Sequence, residues 1–332
     1  MSTPWIDVFN GPHVHFFQHA GEYIGNHFLT ARKYKPIPEL LQLYRMDAHV
    51  VGEHGGKRSV DKLLASSERV ISLAKTIAGR DIDLVVHKHS VEAARVAWGL
   101  GIPSISFVDN ELMVPQNMLV CPLSNVLIAP IAISQYVLRN FTPSHVSILQ
   151  FDGVSEIANV HHHKGDEGVL NLLGLDASRP IVVFRGEPIL ASYNTGTPLS
   201  KAIVQQIRKA IPRVQIVQIG REGDPIRNHL PAFDARSLFY FADIVISGGG
   251  TMTREAALLG TNAITYFNKP LAVDLYLVNK GVLRSFPGKE ILKVNWAREL
   301  RRKRNTVSTD MFEHPFSLIA KARKLIDVRN GK

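Results

Sequence analysis

The chain reads as an α/β protein of two tandem doubly wound, Rossmann-like domains, and three observations carry that reading. Short runs rich in β-branched residues alternate with stretches whose apolar residues recur at helical spacing, which implies parallel sheets covered by helices on both faces. The alternation stops after Gln150 and restarts near Ile181, so it occurs twice. In the second half, "DIVISGGGTMTREAALLG" (Asp243 to Gly260) sets Gly248, Gly249 and Gly250 at the end of a buried strand and opens a helix at Thr251. Glycine lets a backbone approach its neighbour closely, and the N–H groups of a helix start favour an anion, most often a phosphate. The same pattern also serves a tight βα turn with no ligand.

The elements follow in order. Trp5–Phe9, Phe28–Thr30 and His49–Val51 read as strands, as do the apolar runs Leu84–Val86, Ser104–Val108 and Val126–Ile128. Helices fall at Glu39–Tyr44, Val60–Ala78, Val91–Gly99 and Gln135–Asn140. The stretch "FDGVSEIANVHHHKGDEG" lacks an apolar period and collects glycine, histidine and acidic residues, so a linker is expected there. Strands resume at Ile181–Phe184, Val214–Ile219, Ile244–Ile246 and Ala263–Tyr266, with helices at Pro198–Ala210, Arg236–Phe241, Thr251–Leu259 and Val273–Asn279. The expected organisation is an N-terminal domain over 1–155, a linker over 156–177 and a second domain over 178–310. A C-terminal helix within 311–332 is expected to pack back on the first domain.

Composition bounds the function. Of 332 residues 45% are hydrophobic and 20% charged, the balance of a globular protein long enough for two cores. No segment has the apolar length of a membrane span, and the first ten residues lack a signal peptide's basic start and apolar centre, so a cytoplasmic location is expected. Cys121 is the one cysteine, which excludes an internal disulfide and a thiolate metal cluster. The net charge of +10 suggests an anionic partner: a phosphorylated small molecule, an acidic membrane surface or nucleic acid. Nucleic-acid motifs are absent from the sequence, so no nucleic-acid partner is expected. The densest basic block, "RELRRKR", contributes Arg298, Arg301, Arg302, Lys303 and Arg304, which suit either a solvated helix face or a peripheral contact with an anionic membrane.

In doubly wound sheets ligands bind beyond the carboxyl ends of the strands, and this rule sorts the candidate residues. His13 and His15 follow the first strand in "NGPHVHFF". A histidine there can act as a general base, or His13 can cap the helix while His15 packs against it. Arg185 and Glu187 stand in "RGEP" after a buried strand, where arginine suits a phosphate or carboxylate and an Arg185–Glu187 ion pair is the rival. Glu255 lies about one turn into the glycine-turn helix, complementing the helix dipole or accepting both hydroxyls of a ribose. "DID" (Asp81 to Asp83) looks like a metal-holding acid pair of one class of sugar transferases, but it precedes its strand, away from the ligand end, so no metal is expected. "HHH" (His161 to His163) falls in the linker and reads as a solvent-exposed run.

With these residues in place, "PRVQIVQIG" followed by "ADIVISGGGTMTREAALLGTNAI" resembles the donor half of GT-B glycosyltransferases, especially the N-acetylglucosaminyltransferases that form lipid II. Glu255 and Gly260 match that family's spacing after the small-residue turn, Asn110 matches the asparagine closing its fifth strand, and His13 matches the histidine of its first glycine-rich loop. "IDVFNGPHVHFF", "KHSVEAARVAWGLGIPS" and "GGGTMTREAALLG", in this order, resemble a mainly archaeal family of GT-B-like proteins known only as a domain of unknown function. That resemblance spans nearly the whole chain. It departs from the transferases in "FRGEPILASYN", where Arg185 and Glu187 replace a flexible glycine-serine loop, and in "FNKPLAVDLYLVNKG", which lacks the paired glutamines that contact the donor sugar.

The resemblance implies a GT-B fold with a cleft between the domains and a metal-independent, UDP-sugar-dependent glycosyltransferase that needs no further cofactor. It implies a diphosphate on the N–H groups of Gly249 to Thr251 beside Gly248, with Arg185 offsetting the leaving-group charge and Glu255 holding the ribose. His13 would accept the proton of the acceptor, expected to be lipid-linked, with Asp109 or Glu111 as the next candidates; Asn110 and Glu187 would face substrate. The alternatives are a non-hydrolysing UDP-GlcNAc 2-epimerase and a non-catalytic protein that binds a nucleotide sugar or a polyanion.

Overall fold

The computed structural model describes residues 2–56, 58–187, 199–220, 233–305, 307, 309–329 and 331. The chain divides into two compact units, one formed by Met1–Asn159 with Phe312–Lys332 and the other by Val160–Met311.

In the first unit the strands are β1 (Thr3–Val8), β2 (Phe28–Lys33), β3 (His49–Glu53), β4 (Ile82–Lys88), β5 (Ser104–Phe107), β6 (Val126–Pro130) and β7 (Ser147–Phe151). They form a seven-stranded sheet in the order β3-β2-β1-β4-β5-β6-β7, parallel at every pairing. Alternate residues of these strands feed two cores, as the two-residue period of a strand requires. Ile6, Leu84, Val86, Ile105 and Phe107 pack with Phe16 and Phe17 on one side, while Trp5 and Val85 meet Leu73, Ile77, Ala93 and Ala97 on the other. The helix Ile319–Arg329 belongs to this unit, with Ile319, Ala322 and Ile326 in the first of these cores.

The second unit carries β8 (Ile181–Arg185), β9 (Gln215–Gln218), β10 (Ile244–Ser247), β11 (Asn262–Thr265) and β12 (Arg284–Ser285). The sheet order is β12-β11-β10-β8-β9, again parallel throughout. Val182, Phe184, Ile244, Ile246 and Ile264 pack against Ile203, Ile207, Ile291 and Trp296.

Three local features differ from the sequence reading. "GPHVHFF" is a helix, Gly11–Phe17, rather than a loop: Asn10 caps it by accepting from the Gly11 N–H at 2.9 Å, and Pro12 suits its first turn. Val14, Phe16 and Phe17 give that short helix a buried face. Strand β7 lies at the edge of its sheet, where one-sided pairing leaves most of its residues half-buried and removes the apolar run by which a strand is recognised. The two residues of β12 are too few to show any period.

The stretch 156–177 carries two short helices, Ile157–Val160 and Gly168–Leu172, the second burying Val169 and Leu170. The helix expected from Pro198 is observed from Ser200 to Ala210; Pro198 lies outside the described residues. Asp83 is engaged by the guanidinium of Arg323 on the C-terminal helix, which gives one acid of "DID" a structural partner.

Candidate active site

The strand orders fix where ligands can enter. In each sheet there is one place where consecutive connections depart to opposite sides, and the loops that diverge there leave a crevice at the carboxyl ends of the strands. In the first sheet this point lies between β1 and β4, and in the second between β8 and β10. The chain leaving β1 enters the helix that carries His13, β4 ends on Lys88 and runs on into His89 and Ser90, β8 ends on Arg185 before Gly186 and Glu187, and the glycine turn follows β10.

The first crevice is built on a buried ion pair. Asp7 on β1 takes Arg69 on both carboxylate oxygens at 2.6 and 3.1 Å, and also accepts from the Thr30 hydroxyl at 2.6 Å and the Ser90 hydroxyl at 2.5 Å. Neither Asp7 nor Arg69 is exposed. Burial by itself raises a carboxyl pKa, but the Arg69 charge and these hydrogen bonds outweigh it and hold Asp7 below its ordinary value. The Arg69 Nε–H donates to the Val51 carbonyl at 3.0 Å, and Glu92 lies 3.7 Å from Arg69 Nη1. The Ser90 hydroxyl also accepts from the Ala93 N–H at 3.2 Å, capping the helix Val91–Gly99. A fully bonded network therefore pins the β4 loop to β1.

At the end of β4 and in the loop that follows, three polar side chains stand in a row. His87 is fully buried; its Nδ1 accepts from the Ser90 N–H at 3.2 Å, and burial lowers its pKa to about 4. Lys88 donates to Asp109 at 2.6 Å and lies 4.5 Å from the centre of the Phe16 ring. His89 has a φ of 52° and meets Asn117 at 2.6 Å through Nε2. The Asn117 amide donates to the carbonyl of Asn110 at 3.1 Å, and the Asn110 side chain accepts from the Leu112 N–H at 2.9 Å. Asn110 thus shapes its own turn, and Glu111 is half-buried beside it.

His13 lies in the first turn of the Gly11–Phe17 helix, 7% exposed, with its ring edge-on to Phe9 at 4.6 Å. Its Nδ1 is buried with no hydrogen-bond partner among the described residues. Burial, and next the Lys88 charge, push its pKa well below 6.5, so it is neutral at physiological pH. His15 behaves differently: it packs edge-on against Tyr44, with Nε2 3.5 Å from the phenol oxygen.

In the second crevice the glycines are set by the backbone. The Gly248 N–H donates to the Arg185 carbonyl at 3.1 Å, and a Cβ at Gly248 would stand 2.8 Å from the Glu187 Cα. Gly249 and Gly250 have φ of +109° and +110°, conformations that side chains disfavour. The turn delivers the chain into the eight-residue helix Thr251–Leu258, whose first N–H groups have no intrahelical acceptor. Glu255 is buried one turn further on. The Arg254 guanidinium pairs with Asp274 at 2.8 Å, both nearly inaccessible.

Glu187 has a place that the sequence did not suggest. Its carboxylate accepts from the Leu199 N–H at 2.5 Å and from the Ser200 hydroxyl, at the start of the Ser200–Ala210 helix. A carboxylate next to those orphan donors satisfies them and the helix dipole together. Arg185, half-buried at the end of β8, stands at the crevice. The remainder of "RGEPILASYN", from Pro188 to Asn194, lies outside the described residues.

Other residues singled out by the sequence serve elsewhere. His163 is inward-facing, 3.6 Å from Asp234 and 3.4 Å from the Ser237 hydroxyl, so the histidine run is not uniformly solvated. The basic block begins on the helix Trp296–Leu300, and two of its exposed side chains are bonded to neighbouring residues. Arg302 pairs with the buried Glu299 at 3.0 Å, and Arg304 donates to the Thr261 hydroxyl at 2.8 Å beside Tyr240. Burial raises the Cys121 thiol to about 12. Sequence reasoning missed Asp7, Arg69, His87, Lys88, His89 and Asn117. A lysine between two histidines at the end of an apolar strand was the available signal for three of them.

These features, two parallel sheets with polar crevices at their switch points, define a class of two-domain α/β protein with the GT-B fold. It resembles the UDP-GlcNAc 2-epimerase of Neisseria meningitidis bound to UDP-GlcNAc with a TM-score of 0.68 at 13% identity, over 99% of this chain and 100% of that one. The UDP-GlcNAc 2-epimerase of Methanocaldococcus jannaschii gives 0.63 at 14% identity, over 99% and 100%. The spinosyn forosaminyltransferase SpnP gives 0.58 at 13% identity, over 98% and 100%. At such identities the likeness is one of fold. The chain belongs to the family described as "Protein of unknown function (DUF354)", which it matches over residues 3–324. An uncharacterized protein of Methanocaldococcus jannaschii is 35% identical over 300 residues, covering 83% of this chain and 85% of the relative.

Proposed function

We propose that the protein is a nucleotide-sugar-dependent glycosyltransferase that uses a UDP-sugar without a metal. The observation that carries the reading is the glycine turn at the β8/β10 switch point, which opens a helix with a buried carboxylate, Glu255, one turn in. In this reading the diphosphate rests on the N–H groups of Gly249 to Thr251, Arg185 offsets charge on the departing diphosphate, and Glu255 holds the ribose hydroxyls. Neutral His13 takes the proton of the acceptor hydroxyl as its oxygen bonds to the anomeric carbon, and the bond from that carbon to the UDP oxygen breaks with its electron pair leaving on UDP. Asp109, held by Lys88 at 2.6 Å, is the next candidate base. An anionic membrane surface is the proposed partner of the exposed part of the basic block, with a lipid-linked acceptor.

A second reading is epimerisation at the sugar, supported by the fold that the chain shares with the UDP-GlcNAc 2-epimerases as well as with the transferase. Incubation with UDP-GlcNAc alone separates the two. Epimerisation changes the sugar without an acceptor, whereas transfer waits for one. A thermal-shift screen across nucleoside diphosphates and their sugars tests the shared premise, and no stabilisation by any of them would remove both readings.

A further inference from the structure

The hydrogen bonds around Asn117 fix the proton on His89. The carbonyl of Asn110 can only accept, so the Asn117 group 3.1 Å away must be its NH₂. The other end of the same amide is then its oxygen, which faces His89 Nε2 at 2.6 Å. An amide oxygen can only accept, so Nε2 must carry hydrogen, and in the neutral imidazole Nδ1 must carry the lone pair. Asn117 is 1% exposed and His89 3%, so water does not compete freely for these bonds.

The backbone holds this residue in an unusual conformation. At φ 52° His89 occupies a region that non-glycine residues seldom adopt, and such conformations persist only where the surroundings over-determine them. Here the residue before it is tied to Asp109 at 2.6 Å, and the residue after it to Asp7 at 2.5 Å. The loop is thus held on both sides at a cost that a purely structural turn would avoid by placing glycine there. Burial lowers the pKa of the imidazole, so it is neutral at physiological pH.

We infer that His89 is a second proton-transferring group of the first crevice, presented through Nδ1, and that Asn117 is its positioning residue. The inference rests on the nucleotide-sugar reading for the reaction in which His89 would act, but the tautomer it requires is a property of the free protein.

Two measurements on the full chain test it. With isotopically labelled histidine, nitrogen–proton correlation spectra of the ligand-free protein should show His89, identified by its loss in His89→Asn, with Nε2 protonated and Nδ1 bare. Asn117→Leu should give a mixture of the two tautomers. Asn117→Asp, close in shape, should keep the tautomer and raise the pH at which His89 titrates, because a carboxylate favours the imidazolium; it decides the matter if the leucine variant does not fold. A wild-type His89 protonated on Nδ1, or an unchanged titration in Asn117→Asp, overturns the positioning role.

In the second measurement His89→Asn, a residue that tolerates positive φ, should lower turnover by at least about 100-fold while UDP affinity in calorimetry is unchanged. Unaltered turnover with UDP still bound overturns the proton-transfer role alone. Failure of the wild-type protein to bind UDP overturns the nucleotide-sugar reading and, with it, the use made of His89.

Discussion

Asp7 and Arg69 form a two-pronged ion pair, 2.6 and 3.1 Å between heavy atoms, with neither side chain exposed. Removing one partner leaves the other charge buried and uncompensated, which typically costs 3–5 kcal/mol. Arg69→Met should therefore destabilise the first unit by about 4 kcal/mol in urea unfolding. A loss below about 1 kcal/mol would mean that water reaches the pair.

Histidines buried in the neutral state make the fold sensitive to acid. His87 has its pKa depressed from 6.5 to about 4, so as pH falls below 6.5 the unfolded chain takes up a proton that the native state refuses. The associated stability is complete above pH 6.5 and is lost progressively towards pH 4, amounting to about 3 kcal/mol. His13 and His89 shift in the same direction and add to the loss. His87→Asn keeps an acceptor for the Ser90 N–H, and unfolding measured across this range should show a shallower pH slope. An unchanged slope would remove His87 as a cause.

Glu255→Ala should weaken UDP binding by roughly 1–3 kcal/mol, the scale for losing a charged hydrogen-bond acceptor, with the fold retained. Calorimetry with UDP reads this directly. Equal affinity in the variant would leave Glu255 only its interaction with the helix dipole.

His13→Ala should lower turnover by at least about 100-fold with UDP affinity nearly unchanged, since a general base acts in the transition state. His15→Ala should act instead through lost packing against Tyr44, and so appear in stability. Retention of most activity by His13→Ala would move the base to Asp109 or Glu111.

Membrane binding, if it runs through the basic block, should depend on its outward members. All five basic residues are exposed, but the guanidinium groups of Arg302 and Arg304 are bonded to Glu299 and Thr261, so Arg298 and Lys303 are the members tested. Arg298→Ala with Lys303→Ala should reduce flotation with anionic vesicles at low salt, by about 1 kcal/mol per charge. Wild-type protein that does not float with such vesicles would exclude this surface.

The sequence by itself determined the two parallel sheets and the positions of most of their strands, because buried parallel strands and their covering helices must repeat apolar residues at fixed periods. It also determined the glycine turn: close approach to Glu187 at Gly248, and positive φ at Gly249 and Gly250, demand residues without a side chain. Tertiary structure alone decided which polar residues meet. Asp7 and Arg69 are 62 residues apart, and Asp7 and Ser90 83, so no local pattern could pair them. Strand order decided that β1 lies beside β4, which brings the His13 and His89 loops to one switch point. It likewise brought Glu187 to the start of a helix and Arg304 to the Thr261 hydroxyl, since a charged side chain bonds whichever unsatisfied group the fold brings within reach.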